Sequence, residues 1–304
     1  MRPTPFISRW RIGPVVAGTF EARLVLDDET LFAGHYPSAP IFPGTFLVEA
    51  LFQAACTALG GDARLDEIVA CRFHSPLLPG DEVIARFELK EASAGRTLVK
   101  ATASGRSPAA EISMLIAPPG LSPRSIDPAP PASPSTTADP LARVLDASFI
   151  HRTLPHRPPA LLVDSALVRD KPGAGSALVA RKAITVNEPC FVGAKPTGSY
   201  PSTLIVESFC QACGLLRAAT GSADEPRDDT KVPVVAKLAG LRFFGEAAPG
   251  DLLEHQVQLL VRTGEGAVFS GQTMVAGRVV LQVVRVVAAR ALISSPFERP
   301  SPNS

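Results

Sequence analysis

The chain repeats itself, and an internal repeat narrows the possible folds sharply, because each copy must form the same supersecondary unit. Glu29–Gly34 (ETLFAG) resembles Glu188–Gly193 (EPCFVG). Phe42–Ala55 (FPGTFLVEALFQAA) resembles Tyr200–Cys213 (YPSTLIVESFCQAC). Arg72-Phe73 with Pro79-Gly80-Asp81 resembles Arg242-Phe243 with Pro249-Gly250-Asp251. Three blocks in the same order make the chain a tandem duplication of one domain. Between the copies, Pro118–Pro140 is rich in Pro and Ser and poor in apolar side chains, as a solvated tether is. The expected division is a first unit over 1–117, a linker over 118–140, a second unit over 141–293 and a flexible tail over 294–304.

Composition excludes several classes. With 46% hydrophobic and 19% charged residues the chain can bury a core. Thirty Lys and Arg against 29 Asp and Glu leave a net charge of +1, without the basic excess of a dedicated nucleic-acid binder. No apolar run reaches the roughly 18–20 residues that span a bilayer. MRPTPFISRW lacks a signal-peptide apolar stretch. Five cysteines, an odd count, suit a reduced compartment. A cytoplasmic protein with no membrane and no nucleic-acid partner is expected.

Each half reads as α+β. Alternating segments such as Val83–Leu89, Leu98–Ala103, His255–Val261 and Val279–Val287 predict strands, and the Pro-Gly-Asp elements predict turns. Long antiparallel strands beside one apolar helix suggest a curved sheet wrapped on that helix.

The helices carry the chemistry. Thr45–Leu59 is apolar nearly all round, yet it holds Glu49 and Gln53 at i and i+4, on one face. Thr203–Leu216 repeats this with Glu207 and Gln211. A carboxylate in such surroundings is costly unless partnered, and burial raises its pKa, which keeps a carboxyl able to donate a proton near neutrality. Local pairing with a purely structural role is the alternative for one Glu. Two copies at one motif position favour function. Upstream, the stiff loop from Gly34 to Gly44 contains His35 and Pro37, Pro40 and Pro43. It delivers the chain to a helix N-terminus, where backbone N–H groups near Gly44 are free to bind an anionic oxygen. A histidine, an amide dipole and a carboxyl are the parts needed to move a proton beside a carbonyl.

Gly34-His35-Tyr36-Pro37, Pro43-Gly44, Glu49-Ala50 and Gln53 closely resemble the signature of the (3R)-hydroxyacyl-[acyl-carrier-protein] dehydratases of the FabZ/FabA type, including the fourteen residues from His to Glu. In the second half, Leu154–Asp164 (LPHRPPALLVD) resembles the family's N-terminal helix and first strand, and the first half lacks it. Val186–Pro189 and Arg242–Asp251 resemble later landmarks. The resemblance implies a double hotdog, with an antiparallel sheet wrapped around a central helix in each half. It implies a site between two hotdogs, one giving His and the helix-terminal Gly, the other giving the acid. Both units share one chain here, so the usual dimer becomes intramolecular, with higher homo-oligomers open. The resemblance also implies a hydro-lyase that needs no cofactor or metal and acts on an acyl-carrier protein bearing a 3-hydroxyacyl chain.

The halves differ. Gly193-Ala194-Lys195-Pro196 stands where the first half has Gly-His-Tyr-Pro, and Ser202 replaces Gly44. One site is therefore complete: His35 as base, Glu207 protonated as acid, Gly44 as oxyanion donor. The other pairs Ala194 with Glu49 and is degenerate. Gln53 and Gln211 support the acids. His35 is expected closer to Glu207 than to Glu49. Phe46 and Phe209 are expected to line an acyl tunnel, with Lys195 and Arg242 as candidate carrier contacts. His156 reads as structural, His74 and His255 as strand or turn residues, His151 as helix surface, and Cys210 and Cys213 as core packing. Two rival functions are a hotdog acyl thioesterase and a non-catalytic acyl-carrier-binding partner subunit.

Overall fold

The computed structural model describes residues 10–37, 39–123, 142–169, 175–191, 198–221, 231–264 and 266–292. Most of the tether, the 294–304 tail and the Ala194–Lys195 stretch lie outside them.

The first half contains β1 (Arg11–Ile12), β2 (Thr19–Val25), helix α1 (Gly44–Ala58), β3 (Arg64–Phe73), β4 (Glu82–Glu91), β5 (Thr97–Ser104) and β6 (Pro108–Ala117). The second contains β7 (Ala142–Leu145), α2 (Ala147–Thr153), β8 (Ser165–Arg169), β9 (Ala177–Ala183), α3 (Ser202–Ala219), β10 (Lys231–Phe243), β11 (Leu252–Arg262), β12 (Gly266–Val275) and β13 (Arg278–Leu292). Among the described residues these strands form one thirteen-stranded sheet, ordered β1-β2-β4-β5-β6-β3-β10-β13-β12-β11-β9-β8-β7. All its pairings are antiparallel.

Strand alternation sets the inner face. In β2, Phe20, Ala22 and Leu24 are buried while Thr19, Arg23 and Val25 are exposed. Phe20 lies directly opposite Phe87 of β4, and the rings stack with centroids 4.3 Å apart. The inner faces of both halves join one apolar core with Leu47, Val48 and Leu51 of α1 and Ile205, Phe209 and Leu216 of α3.

The two halves meet along β3 and β10, where Ile68 faces Leu241 and Glu67 faces Arg242. Arg242 Nε lies 3.4 Å from Glu67 Oε1, so this side chain ties the seam and is absent from the cavity walls described below. Beneath the seam α1 packs against α3. Two central helices, one per half, thus come together, and their N-termini carry the motif residues.

The Leu154–Asp164 segment departs from expectation. Helix α2 ends before it and strand β8 starts after it. The segment itself is irregular, since Pro155, Pro158 and Pro159 supply no N–H to a helix or ladder. It reaches across to the first half, where Arg157 N–H donates to Gly34 O at 2.7 Å.

Candidate active site

His35 follows the tight turn after Phe32 and is buried. Its Nδ1 lies 2.9 Å from the Ile41 carbonyl. A carbonyl only accepts, so Nδ1 carries the proton and Nε2 keeps its lone pair. Burial pushes the His35 pKa down to about 4; nearby Glu207 and the Ile41 bond oppose this, and His156 adds to it. The imidazole is neutral at physiological pH, as a base must be.

Gly34 makes the turn possible. Its φ is +74°, and a Cβ there would stand 2.0 Å from the Arg157 carbonyl oxygen. Gly34→Ala is expected to cost several kcal/mol by the ordinary scale of such backbone clashes, about 2–4 kcal/mol, and to displace His35. Urea unfolding measures it; a midpoint equal to wild type would contradict the close crossing.

Glu207 projects from α3 and is also buried. Its Oε2 accepts from Thr45 Oγ1 of the opposite helix at 2.7 Å. Its Oε1 accepts from Gln211 Nε2 at 3.1 Å and lies 3.3 Å from His156 Nε2. Gln211 is itself fixed: its Nε2 donates to Ala160 O and its Oε1 accepts from Leu162 N–H. The expected protonated Glu207 is corrected here. Burial raises its pKa, but the hydrogen bond and charge of His156, with His35 and Thr45 adding, outweigh burial and hold it at about 2. Glu207 rests as a carboxylate because it has the partners that an apolar helix alone does not supply.

His156, read from the sequence as structural, stands among the site residues: its ring centroid lies 5.1 Å from His35 and 5.3 Å from Tyr36. Tyr36 in turn donates its hydroxyl to Pro233 O of β10, anchoring the His35 loop to the second half.

Two cavities flank this group, and His35 and Glu207 line both. The first, of about 500 Å³, is walled by Leu31, Phe46, Leu162, Pro189 and Leu204. The second, of about 370 Å³, is lined by Gly44, Thr45, Phe73, His74 and His156 among others. Gly44 opens α1, whose first N–H groups have no partner within the helix. A Cβ at Gly44 would stand 2.9 Å from the Phe73 ring. Phe46 lines the first cavity as expected. Phe209 does not: it is fully buried against His255, with ring centroids 6.0 Å apart.

Glu49 has matching helical partners and a different setting. It accepts from Thr203 Oγ1 at 2.7 Å and from Gln53 Nε2 at 2.8 Å, the mirror image of Glu207 with Thr45 and Gln211. It lines neither cavity. Ala194, its expected counterpart, lies outside the described residues.

The remaining expectations resolve simply. His255 is a buried strand residue between Ser208 Oγ and Thr273 Oγ1, each 2.8 Å away, and burial lowers its pKa to about 3. His74 is exposed beyond β3, and His151 lies exposed on α2. Cys210 and Cys213 are free thiols on α3, Cys213 in the core and Cys210 bordering the second cavity.

Two neutral buried histidines make stability depend on pH. Their pKa values are depressed on folding, so their contribution is complete above pH 6.5 and is lost as pH falls toward 4 and 3. Between pH 7 and pH 5 the loss should be on the order of 2 kcal/mol per histidine. Urea midpoints at the two pH values test this; equal midpoints would contradict it.

Known proteins match in sequence and in fold. Residues 17–107 match the ApeI-like family (ApeI dehydratase), and residues 154–284 match the FabA-like domain family. The 3-hydroxyacyl-[acyl-carrier-protein] dehydratase FabZ of Anaeromyxobacter sp. (strain Fw109-5) is 41% identical over 140 residues, which are 44% of this chain and 86% of the relative. FabZ of Shewanella amazonensis is 37% identical over 151 residues, covering 49% and 95%. The dehydratase domain of a mycocerosic acid synthase-like polyketide synthase superposes with a TM-score of 0.63 at 15% identity, over 94% of this chain and 96% of that one. The PpsC dehydratase domain from Mycobacterium tuberculosis, solved with C12:1-CoA, gives 0.60 at 17% identity, over 94% and 99%. At such identities the structures speak for the fold alone, and in each a single chain spans both units. The chain belongs to the FabZ/FabA-type 3-hydroxyacyl-[acyl-carrier-protein] dehydratase family, in its double-hotdog form.

Proposed function

We propose that this chain converts a 3-hydroxyacyl thioester into a 2-enoyl thioester and water at one site shared by its two halves. The observation that carries the reading is His35 of the first half and Glu207 of the second lining the same pair of cavities. The acyl chain lies in the apolar first cavity. The thioester carbonyl points into the second, toward the backbone N–H groups at Gly44, which stabilise enolate-like charge. His35 Nε2 takes a proton from C2 as the C2–C3 double bond forms and the C3–O bond breaks. The departing hydroxyl takes the one proton that the reactive form holds between His156 Nε2 and Glu207 Oε1 beyond that of a neutral imidazole, and leaves as water. His35 then returns its proton to that line. One proton leaves carbon and one reaches oxygen, so the site is restored without a metal or a redox cofactor in any step.

Acyl-carrier protein is the proposed carrier, and the cytoplasm the proposed compartment. Among the described residues no helix is long and apolar enough to cross a membrane. The test supplies a 3-hydroxyacyl thioester and follows enoyl absorbance and free thiol separately. Enoyl product without thiol release is expected. Thiol release alone would turn the reading to a thioesterase, and neither signal would leave a carrier-binding subunit.

A further inference from the structure

The three side chains that meet between the halves form a set that chemistry uses for more than proton transfer. Among the described residues, His35, His156 and Glu207 are buried and present donor atoms that all lie within 4.8 Å of one another. Two imidazoles and one carboxylate, with a further position open, suit a borderline metal ion such as zinc. Bonds of about 2.0–2.1 Å in a tetrahedron set donor–donor edges of roughly 3.4 Å. The His156 Nε2 to Glu207 Oε1 edge is 3.3 Å.

Outer contacts already aim the donors. His35 is held through Nδ1 by Ile41 O, which turns its Nε2 lone pair outward from that bond. Glu207 is steadied by Thr45 and Gln211. His156 Nδ1 is buried without a hydrogen-bond partner among the described residues, so its ring is not locked by a second bond. Every donor pair lies within 4.8 Å, about 1.4 Å longer at most than that edge. The open position faces the cavities that His35 and Glu207 border.

We propose that His35, His156 and Glu207 bind one zinc ion per chain, and that zinc and substrate exclude each other. The ion joins the first half to the second and is a reversible inhibitor, because it takes the lone pair of His35. Binding stands on the cluster itself; the exclusion of substrate rests on the dehydratase reading.

The test is calorimetric titration of chelator-stripped full-length protein with zinc chloride, alongside His35→Ala, His156→Ala and the surface control His151→Ala, exposed on α2. One ion per chain is expected for wild type and His151→Ala, with at least tenfold weaker binding in the two site variants. Circular dichroism establishes that each variant is folded. Cobalt(II) should give the visible absorption of a four- or five-coordinate ion in wild type, and neither site variant should. No binding at millimolar zinc would overturn the proposal. So would binding that survives both site substitutions, or binding lost in His151→Ala alone. In the turnover assay zinc should compete with substrate and be reversed by chelator. Zinc bound at the cluster in a chain that never dehydrates would sink the dehydratase reading and leave the metal site standing.

Discussion

His35→Ala should lower dehydration by roughly a thousandfold or more while leaving the fold intact. General acid–base groups typically contribute 10²- to 10⁴-fold, and no other described imidazole stands beside Glu207 with its Nε2 freed by a backbone bond. The fold should survive at a cost of about 1–3 kcal/mol, because the change leaves the Ile41 carbonyl without its bond while the vacated volume joins the cavities that His35 borders. His35 is also neutral by burial, so wild-type turnover should hold its base form well below pH 6.5. Enoyl absorbance, with circular dichroism as the fold control, measures the effect. A variant within tenfold of wild type would remove His35 from the chemistry.

The second large effect separates the two glutamates. Glu207→Gln should lower kcat by roughly 10²- to 10⁴-fold, whereas Glu49→Gln should change it by less than about threefold. The two acids occupy equivalent helical positions and take equivalent bonds from Thr and Gln, so a structural role would make the substitutions equal. They differ in what lies beyond. Glu207 meets His156 and His35, and Glu49 lines neither cavity. Gln keeps the shape and the threonine bond but has no carboxylate to share a proton with His156. Parallel losses in both variants would mean that both halves work.

Much of this was legible in the sequence because it is local or repeated. The Glu–Gln pairs follow from helical spacing, and both pairs are bonded in the structure. The strands follow from alternation. The duplicated helix, with histidine upstream of only one copy, already points to an unequal pair of sites. What escaped depends on contacts distant in the chain. His156 lies about 120 residues from His35, and no local pattern brings them together. One signal was available: only the second half carries Leu-Pro-His-Arg, so that element can serve only one of two sites. Without that placement the charge of Glu207 was read wrongly, because His156 stabilises its carboxylate. Phe209 was a different error. Two residues past Glu207 on a helix is a rotation of about 200°, which places Phe209 on the face opposite the acid and in the core.

The central claim is that one chain completes one site by joining its own two halves. Mixing purified His35→Ala with purified Glu207→Gln, after co-refolding and without it, tests that claim most directly. Each variant lacks one component and carries the other. If the halves of a single chain build the site, the mixture stays as inactive as its parts. Recovery to a sizeable fraction of wild-type turnover would mean that His35 of one chain works with Glu207 of another, and the intramolecular account would be wrong.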